Sequence, residues 1–149
     1  MQITVGELLD RKGHDVWSVT SQSTVYEALE LMAEKNIGAV LILEGDNVVG
    51  IFSERDHARR VALKDRSLKQ TRIREVMSSP VCYITAGRTI DECMALMTEK
   101  RVRHLPVLQE DKLIGMITIG DVVKAIISEQ QYVIRELESY VDSVFKKRG

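Results

Sequence analysis

Apolar and polar positions along this chain fall into a pattern that occurs twice. A short apolar stretch at 16–19 gives way to a polar turn. Apolar residues then recur at 25, 28, 29 and 32, the spacing of one helix face. Apolar runs at 39–43 and 48–52 follow, with Glu44-Gly45-Asp46-Asn47 between them, which predicts two strands on a short turn. The same succession returns at 81–84, at 90, 93, 94 and 97, and at 104–108 and 113–117, with Gln109-Glu110-Asp111-Lys112 as the turn. Thr24 and Thr89 precede the helices with Glu27 and Glu92 three residues on, predicting a capping box in each copy. Lys35 and Lys100 stand where a helix C-terminus favours a cation. A further helix opens at Glu54 or at Ile119. Each unit therefore reads β-α-β-β-α.

Sliding the chain by 65 positions superposes residues 16–60 on 81–125 without a gap, and 12 of the 45 pairs are identical. Upstream, Val5-Gly6-Glu7-Leu8-Leu9 matches Ile73-Arg74-Glu75-Val76-Met77 at a shift of 68, so the first unit carries about three extra residues around Arg11-Lys12-Gly13. A fixed period of this kind is the mark of an internal repeat. A unit so small buries little surface alone, and packing two copies face to face would solve this. The expected fold is α/β (α+β): two pseudo-symmetric units, 1–66 and 67–127, in one module with two related clefts. Residues 128–149 are expected to extend it as a helix. From Asp121 to about Lys146 no Gly or Pro interrupts, and apolar residues recur at steps of three and four. A helix that long is too long for so small a module to cover. A second copy or another protein would cover it.

The repeated units share the motif Gly-h-h-Ser/Thr-x-x-Asp, h being apolar. It stands as Gly50-Ile51-Phe52-Ser53-Glu54-Arg55-Asp56 and as Gly115-Met116-Ile117-Thr118-Ile119-Gly120-Asp121. With Arg103-His104-Leu105-Pro106-Val107, these runs make residues 1–127 resemble a tandem pair of cystathionine-β-synthase (CBS) domains, a Bateman module. The resemblance implies a stand-alone sensor rather than an enzyme. It implies binding of adenosine compounds such as AMP, ADP, ATP, S-adenosylmethionine or NAD, and a homodimer.

In that family each cleft joins the Asp motif of one repeat to strands of the other. The first cleft would use Ser53, Arg55 and Asp56 with Val81, Tyr83, Val102, Arg103, His104 and Pro106. The second would use Thr118, Gly120 and Asp121 with Val16, Trp17, Ser18, Ile37, Gly38 and Ala39. An Asp at the start of a helix suits a ribose diol, because a carboxylate accepts charge-assisted hydrogen bonds from both hydroxyls. Ser/Thr-x-x-Asp is also a common helix cap. Arg55, Arg103 and His104 give the first cleft three possible phosphate ligands, whereas the second has Gly120, Gly38 and Ala39 there. The first is expected to take the phosphorylated part of a ligand. Trp17 and Tyr83 stack on a purine or pack in the fold. His104 is a ligand or a partly buried histidine.

Composition narrows the classes. The 149 residues carry 21 Lys+Arg and 22 Asp+Glu, a formal net charge of −1, and 44% are hydrophobic. That is enough for a core, and the balance excludes a polybasic nucleic-acid coat. No apolar run is long enough to span a membrane. Met1-Gln2-Ile3-Thr4 shows no secretion signal, and Cys82 and Cys93 lack metal or disulfide-framework spacing, so a reducing cytoplasm is expected. No P-loop, dinucleotide fingerprint or nucleophile motif is present, so no catalytic residue, catalytic cofactor or metal is expected. Residues 55–74 hold eight Lys and Arg against Asp56 and Asp65, a net of +6. This is a solvated segment, a rim that draws polyphosphates to the first cleft, or a contact for an anionic partner. No aromatic residue interleaves it, which argues against single-stranded nucleic acid. The expectation is a regulatory module holding AMP, ATP or NAD and signalling to an effector protein. The alternatives are an interaction scaffold with idle clefts and a nucleic-acid regulator using 55–74.

Overall fold

The computed structural model describes residues 3–148, with side chains as far as Phe145. Met1, Gln2 and Gly149, at the ends of the expected first and last segments, lie outside the described residues. The order is α1 (Val5–Lys12), β1 (Ser18–Thr20), α2 (Val25–Lys35), β2 (Ala39–Glu44), β3 (Asn47–Ser53) and α3 (Glu54–Asp56). The last runs on as a π-helical turn, His57–Ala62, and a 3-10 turn, Ile73–Glu75, follows. The second repeat supplies β4 (Ile84–Thr85), α4 (Ile90–Lys100), β5 (His104–Gln109), β6 (Lys112–Thr118) and α5 (Ile119–Arg148). Both sheets have three strands, ordered β1-β2-β3 and β4-β5-β6, with the first pair parallel and the hairpin antiparallel.

The caps explain why the helices start and stop where they do. The hydroxyls of Thr24 and Thr89 accept from the N–H of Glu27 and Glu92, satisfying a donor the first turn leaves free. The reciprocal bond is made at Thr89, whose N–H donates to Glu92. At Thr24 only the first half of the predicted box forms. Asn36 and Arg101 end the two helices in the left-handed conformation, φ 54° and 55°. The first strands begin later than predicted, so Val16, Trp17 and Val81 precede them. Trp17 is instead roofed by the Lys35 ammonium, 4.3 Å from its ring centre.

Two hydrophobic cores form, and each takes one piece from the other repeat. Val5, Leu8 and Leu9 of the first arm lie in the core of β4–β6 and α4. Ile73 and Val76 of the second arm lie in the core of α2, β2 and β3. The exchange is symmetric in detail. The N–H of Val25 donates to Thr71 at 3.0 Å, and that of Ile90 donates to Ile3 at 3.0 Å. The motif glycines make room for the arms. A Cβ at Gly50 would stand 2.3 Å from Met77 Sδ, and one at Gly115 would stand 2.7 Å from Leu9 Cδ2.

The basic segment stays at the surface, with Arg66 half-buried and its other cations exposed, but several of them bond back to the chain. Arg60 donates to the carbonyls of Val76 and Met77, Arg66 pairs with Glu75 at 2.7 Å, and Arg72 donates to Gln22. Lys69 stands 5.0 Å over the Tyr26 ring. These contacts tie the linker to the first repeat.

Candidate functional site

The first cleft is assembled from both repeats. Ser53, Glu54, Arg55 and Asp56 come from the end of β3 and α3, and Arg101, Val102, Arg103 and His104 lead into β5. Gly38, Ile51 and Ser78 complete a cavity of about 270 Å³. Six of the nine residues expected here therefore share one cavity. Gly38, expected in the second cleft, also lines it, with the His104 ring 3.5 Å from where its Cβ would be. Val81, Tyr83 and Pro106 line a neighbouring pocket of about 520 Å³. The antiparallel Ile51–Ser78 bridge comes between the two: Ile51 and Ser78 face the first, Val49 and Ser79 the second.

Asp56 is buried, 8% exposed, and hydrogen-bonded at both carboxylate oxygens. Its Oδ2 accepts from the Ser53 N–H at 3.0 Å and from the Ser53 hydroxyl at 3.1 Å. Its Oδ1 accepts from the Ser78 hydroxyl at 2.9 Å. The Ser53–Asp56 box is thus both a cap and a held carboxylate, and Oδ1 retains a further lone pair. Arg55, Arg101 and Arg103 are exposed around it, and none is in an ion pair among the described residues.

His104 is partly buried between the repeats. Burial holds its imidazole below the ordinary value, against the pull of Glu54 and Asp121 and with the push of Lys12 and Arg103. Burial thus favours its neutral form.

The second cleft is built differently. Asp121 Oδ2 accepts from the Thr118 N–H at 2.9 Å, the counterpart of the Ser53–Asp56 contact. It also accepts from Lys12 Nζ at 2.6 Å, and the same ammonium donates to the Met116 carbonyl at 2.8 Å. Burial raises the Asp121 carboxyl, but Lys12 and Thr118 outweigh it and hold it below the usual carboxylate value. Lys12 does at this cleft what Ser78 does at the first. Ser78 bonds Asp56 through its hydroxyl and Ile51 through its backbone N–H. Lys12 bonds Asp121 and Met116, which occupy the equivalent positions, through one ammonium. The three extra residues of the first arm are where the symmetry breaks, and they bring a cation where the other arm brings a hydroxyl.

Of the other residues expected here, Ser18 and Ala39 lie in β1 and β2, and Ala39 is buried. Val16, Trp17 and Ile37 are half-buried beside these strands, and Gly120 is exposed in the first turn of α5. Sequence reasoning missed Lys12, Ser78, Arg101, Glu54 and Ile51. The shift from 65 to 68 was the signal for Lys12. Arg101 was readable as the counterpart of the helix-ending Asn36. No group of three His, Cys, Asp or Glu side chains suited to a metal occurs among the described residues.

The CBS domain family model matches residues 5–56 and 73–128, one match to each repeat. The chain belongs to the CBS-domain family. It is 32% identical over 148 residues to the mitochondrial CBS domain-containing protein CBSX3 of Arabidopsis thaliana, covering 93% of this chain and 71% of that protein. A solved CBS-domain protein of Burkholderia ambifaria MC40-6 is 51% identical with a TM-score of 0.82, covering 85% of this chain and 96% of that one. A CBS-domain containing protein of Agrobacterium tumefaciens is 39% identical with a TM-score of 0.78, covering 82% and 98%. The tandem CBS pair expected from the motifs is thus the fold, with the long C-terminal helix added to it. CBS pairs are in general regulatory, ligand-binding modules. No helix among the described residues is long and apolar enough to cross a membrane.

Proposed function

We propose that this CBS pair is a regulatory module that binds one adenosine nucleotide in the Asp56 cleft and reports its occupancy to a separate effector protein. It acts by occupancy rather than turnover. The observation that carries this reading is the unbalanced first cleft: Arg55, Arg101 and Arg103, in no ion pair among the described residues, surround a buried, hydrogen-bonded Asp56. Guanidinium groups are fitted to phosphate, and a carboxylate with a free lone pair is fitted to a ribose hydroxyl. The cavity of about 270 Å³ is near the lower end of small-molecule pockets, roughly 300–1,000 Å³. That size favours AMP or ATP, with phosphates projecting among the arginines, over a dinucleotide such as NAD. The second cleft takes no nucleotide, because Lys12 already neutralises Asp121. Binding in the first cleft bridges the repeats and shifts their relative position toward the liganded state.

The nucleic-acid reading of residues 55–74 is disfavoured because Arg60, Arg66 and Arg72 are engaged by acceptors of the chain itself. The scaffold reading is separated by experiment. Calorimetry and thermal shift with AMP, ADP, ATP, NAD and S-adenosylmethionine, with GMP as control, are expected to give one site per chain and a raised melting point for an adenine nucleotide. No shift with any adenosine compound would leave the scaffold.

A further inference from the structure

The family match ends at residue 128, yet α5 continues to Arg148, about 30 Å further at 1.5 Å per residue. Beyond Ile126 every residue as far as Ser143 is exposed, so nothing among the described residues covers this part of the helix. Its sequence is nevertheless regular. Val123, Ile127, Gln130, Ile134, Leu137, Val141 and Val144 follow one another at steps of four and three without a break. That is three heptads, the period that keeps one seam facing a partner helix. Ile127, Ile134 and Val141 fall at the a positions, with Val123, Gln130, Leu137 and Val144 at d. The outward positions hold Glu129, Arg135, Glu136, Ser139 and Asp142, with Tyr132 the one aromatic residue among them.

We infer that α5 pairs with α5 of a second copy of this chain as a parallel, two-stranded coiled coil. The occupant is chosen by three observations. The β-branched residues at every a position are those that parallel two-stranded coils favour there, and of the four d positions Leu137 carries the favoured leucine. A heptad seam is self-complementary, and a two-fold pair sets each residue against its own counterpart. The exposed area is also of the right size. Eight large apolar side chains of the seam and its flanks, from Val123 to Phe145, are between 41% and 69% exposed. At roughly 50–100 Å² each they offer about 400–800 Å² per copy. Standard interfaces bury about 800 Å² per partner, within a range that starts near 600 Å². The effector protein of the preceding section is then left the other faces of the module.

The test is site-specific cross-linking of the full chain in a Cys82→Ser background. Cys93 stays, because it is buried and its thiol is pushed up to about 11, which leaves it inert to mild oxidation. Leu137→Cys is expected to convert most of the protein to a covalent dimer under mild oxidant, and Ser139→Cys, on the outer face, to give at least tenfold less. Equal cross-linking at the two positions, or none at Leu137→Cys, would overturn the proposal, including the case of another protein or an antiparallel pair on this seam. As a second readout, Ile134→Asp with Val141→Asp is expected to slow cross-linking at Leu137→Cys at least tenfold while the core melts as before. Undiminished cross-linking in that variant would overturn it as well.

Discussion

Lys12→Met isolates the contact that makes the two clefts unequal. Methionine keeps most of the apolar stem and removes the ammonium. The lost interactions are a 2.6 Å bond to Asp121 and a 2.8 Å bond to the Met116 carbonyl. The two side chains are 30% and 22% exposed, so the pair lies between a solvated surface bridge, about 0–1 kcal/mol, and a buried one, about 3–5 kcal/mol when one partner is removed. A loss of about 2 kcal/mol follows. For a domain of this size that lowers the melting point by about 4–8 °C. The pH dependence gives a second check. Asp121 is held below its ordinary value in the folded chain. The stabilisation from that shift is present above the unfolded value, about 3.9, and is lost as pH falls through the lower folded one. The gap between the two proteins should therefore hold from pH 5 to 8 and close below about pH 4, followed by scanning calorimetry. Calorimetric titration with adenosine should show a second, weaker site opening beside the freed Asp121. A melting point unchanged at pH 7 would refute the reasoning, since it would mean that Lys12 is solvated and the second cleft is open in the native protein.

Three further outcomes are expected. Asp56→Asn should abolish nucleotide binding by titration calorimetry and cost about 1–2 kcal/mol of stability, because Ser53 and Ser78 lose a charged acceptor; Ser78→Ala should weaken binding less. Gly115→Ala should destabilise by about 2–3 kcal/mol in urea, since its Cβ meets a fully buried Leu9, whereas Gly50→Ala should cost nearer 1 kcal/mol because Met77 is half-buried and flexible. Cys93 should resist a thiol reagent in the native chain at pH 8 and react only on unfolding; reaction at the rate of an exposed thiol would contradict its burial.

Most of the architecture was legible because it is local. Helices at 25–35 and 90–100 announce themselves by apolar spacing and by Thr24 and Thr89, and the hairpins by paired apolar runs around acidic turns. The repeat then multiplies each weak signal by two. The arms were not legible in the same way. The pattern of Val5, Leu8 and Leu9 says that an apolar face exists, but nothing local says which repeat it meets. The same holds for Lys12, which reaches an acceptor 109 positions away. The first cleft was mostly readable because Ser53, Asp56, Arg103 and His104 sit in motifs. Arg101 and Ser78 sit outside them, at a helix end and in a linker. Tyr83 and Trp17 show the limit of residue type as a guide: one lines a neighbouring pocket, and the other carries a lysine on its ring.

The crossing of the arms also sets an order on synthesis. The core around Phe52 is complete once Ile73 and Val76 have been made. The arm at the start of the chain has no such early use. Val5, Leu8 and Leu9 are made well before the residues that cover them, because their neighbours extend to Val122. Through most of translation this arm is an exposed sticky end. The charges of Glu7, Asp10 and Arg11, exposed away from that face, help to keep it in solution until the second half of the chain arrives to claim it.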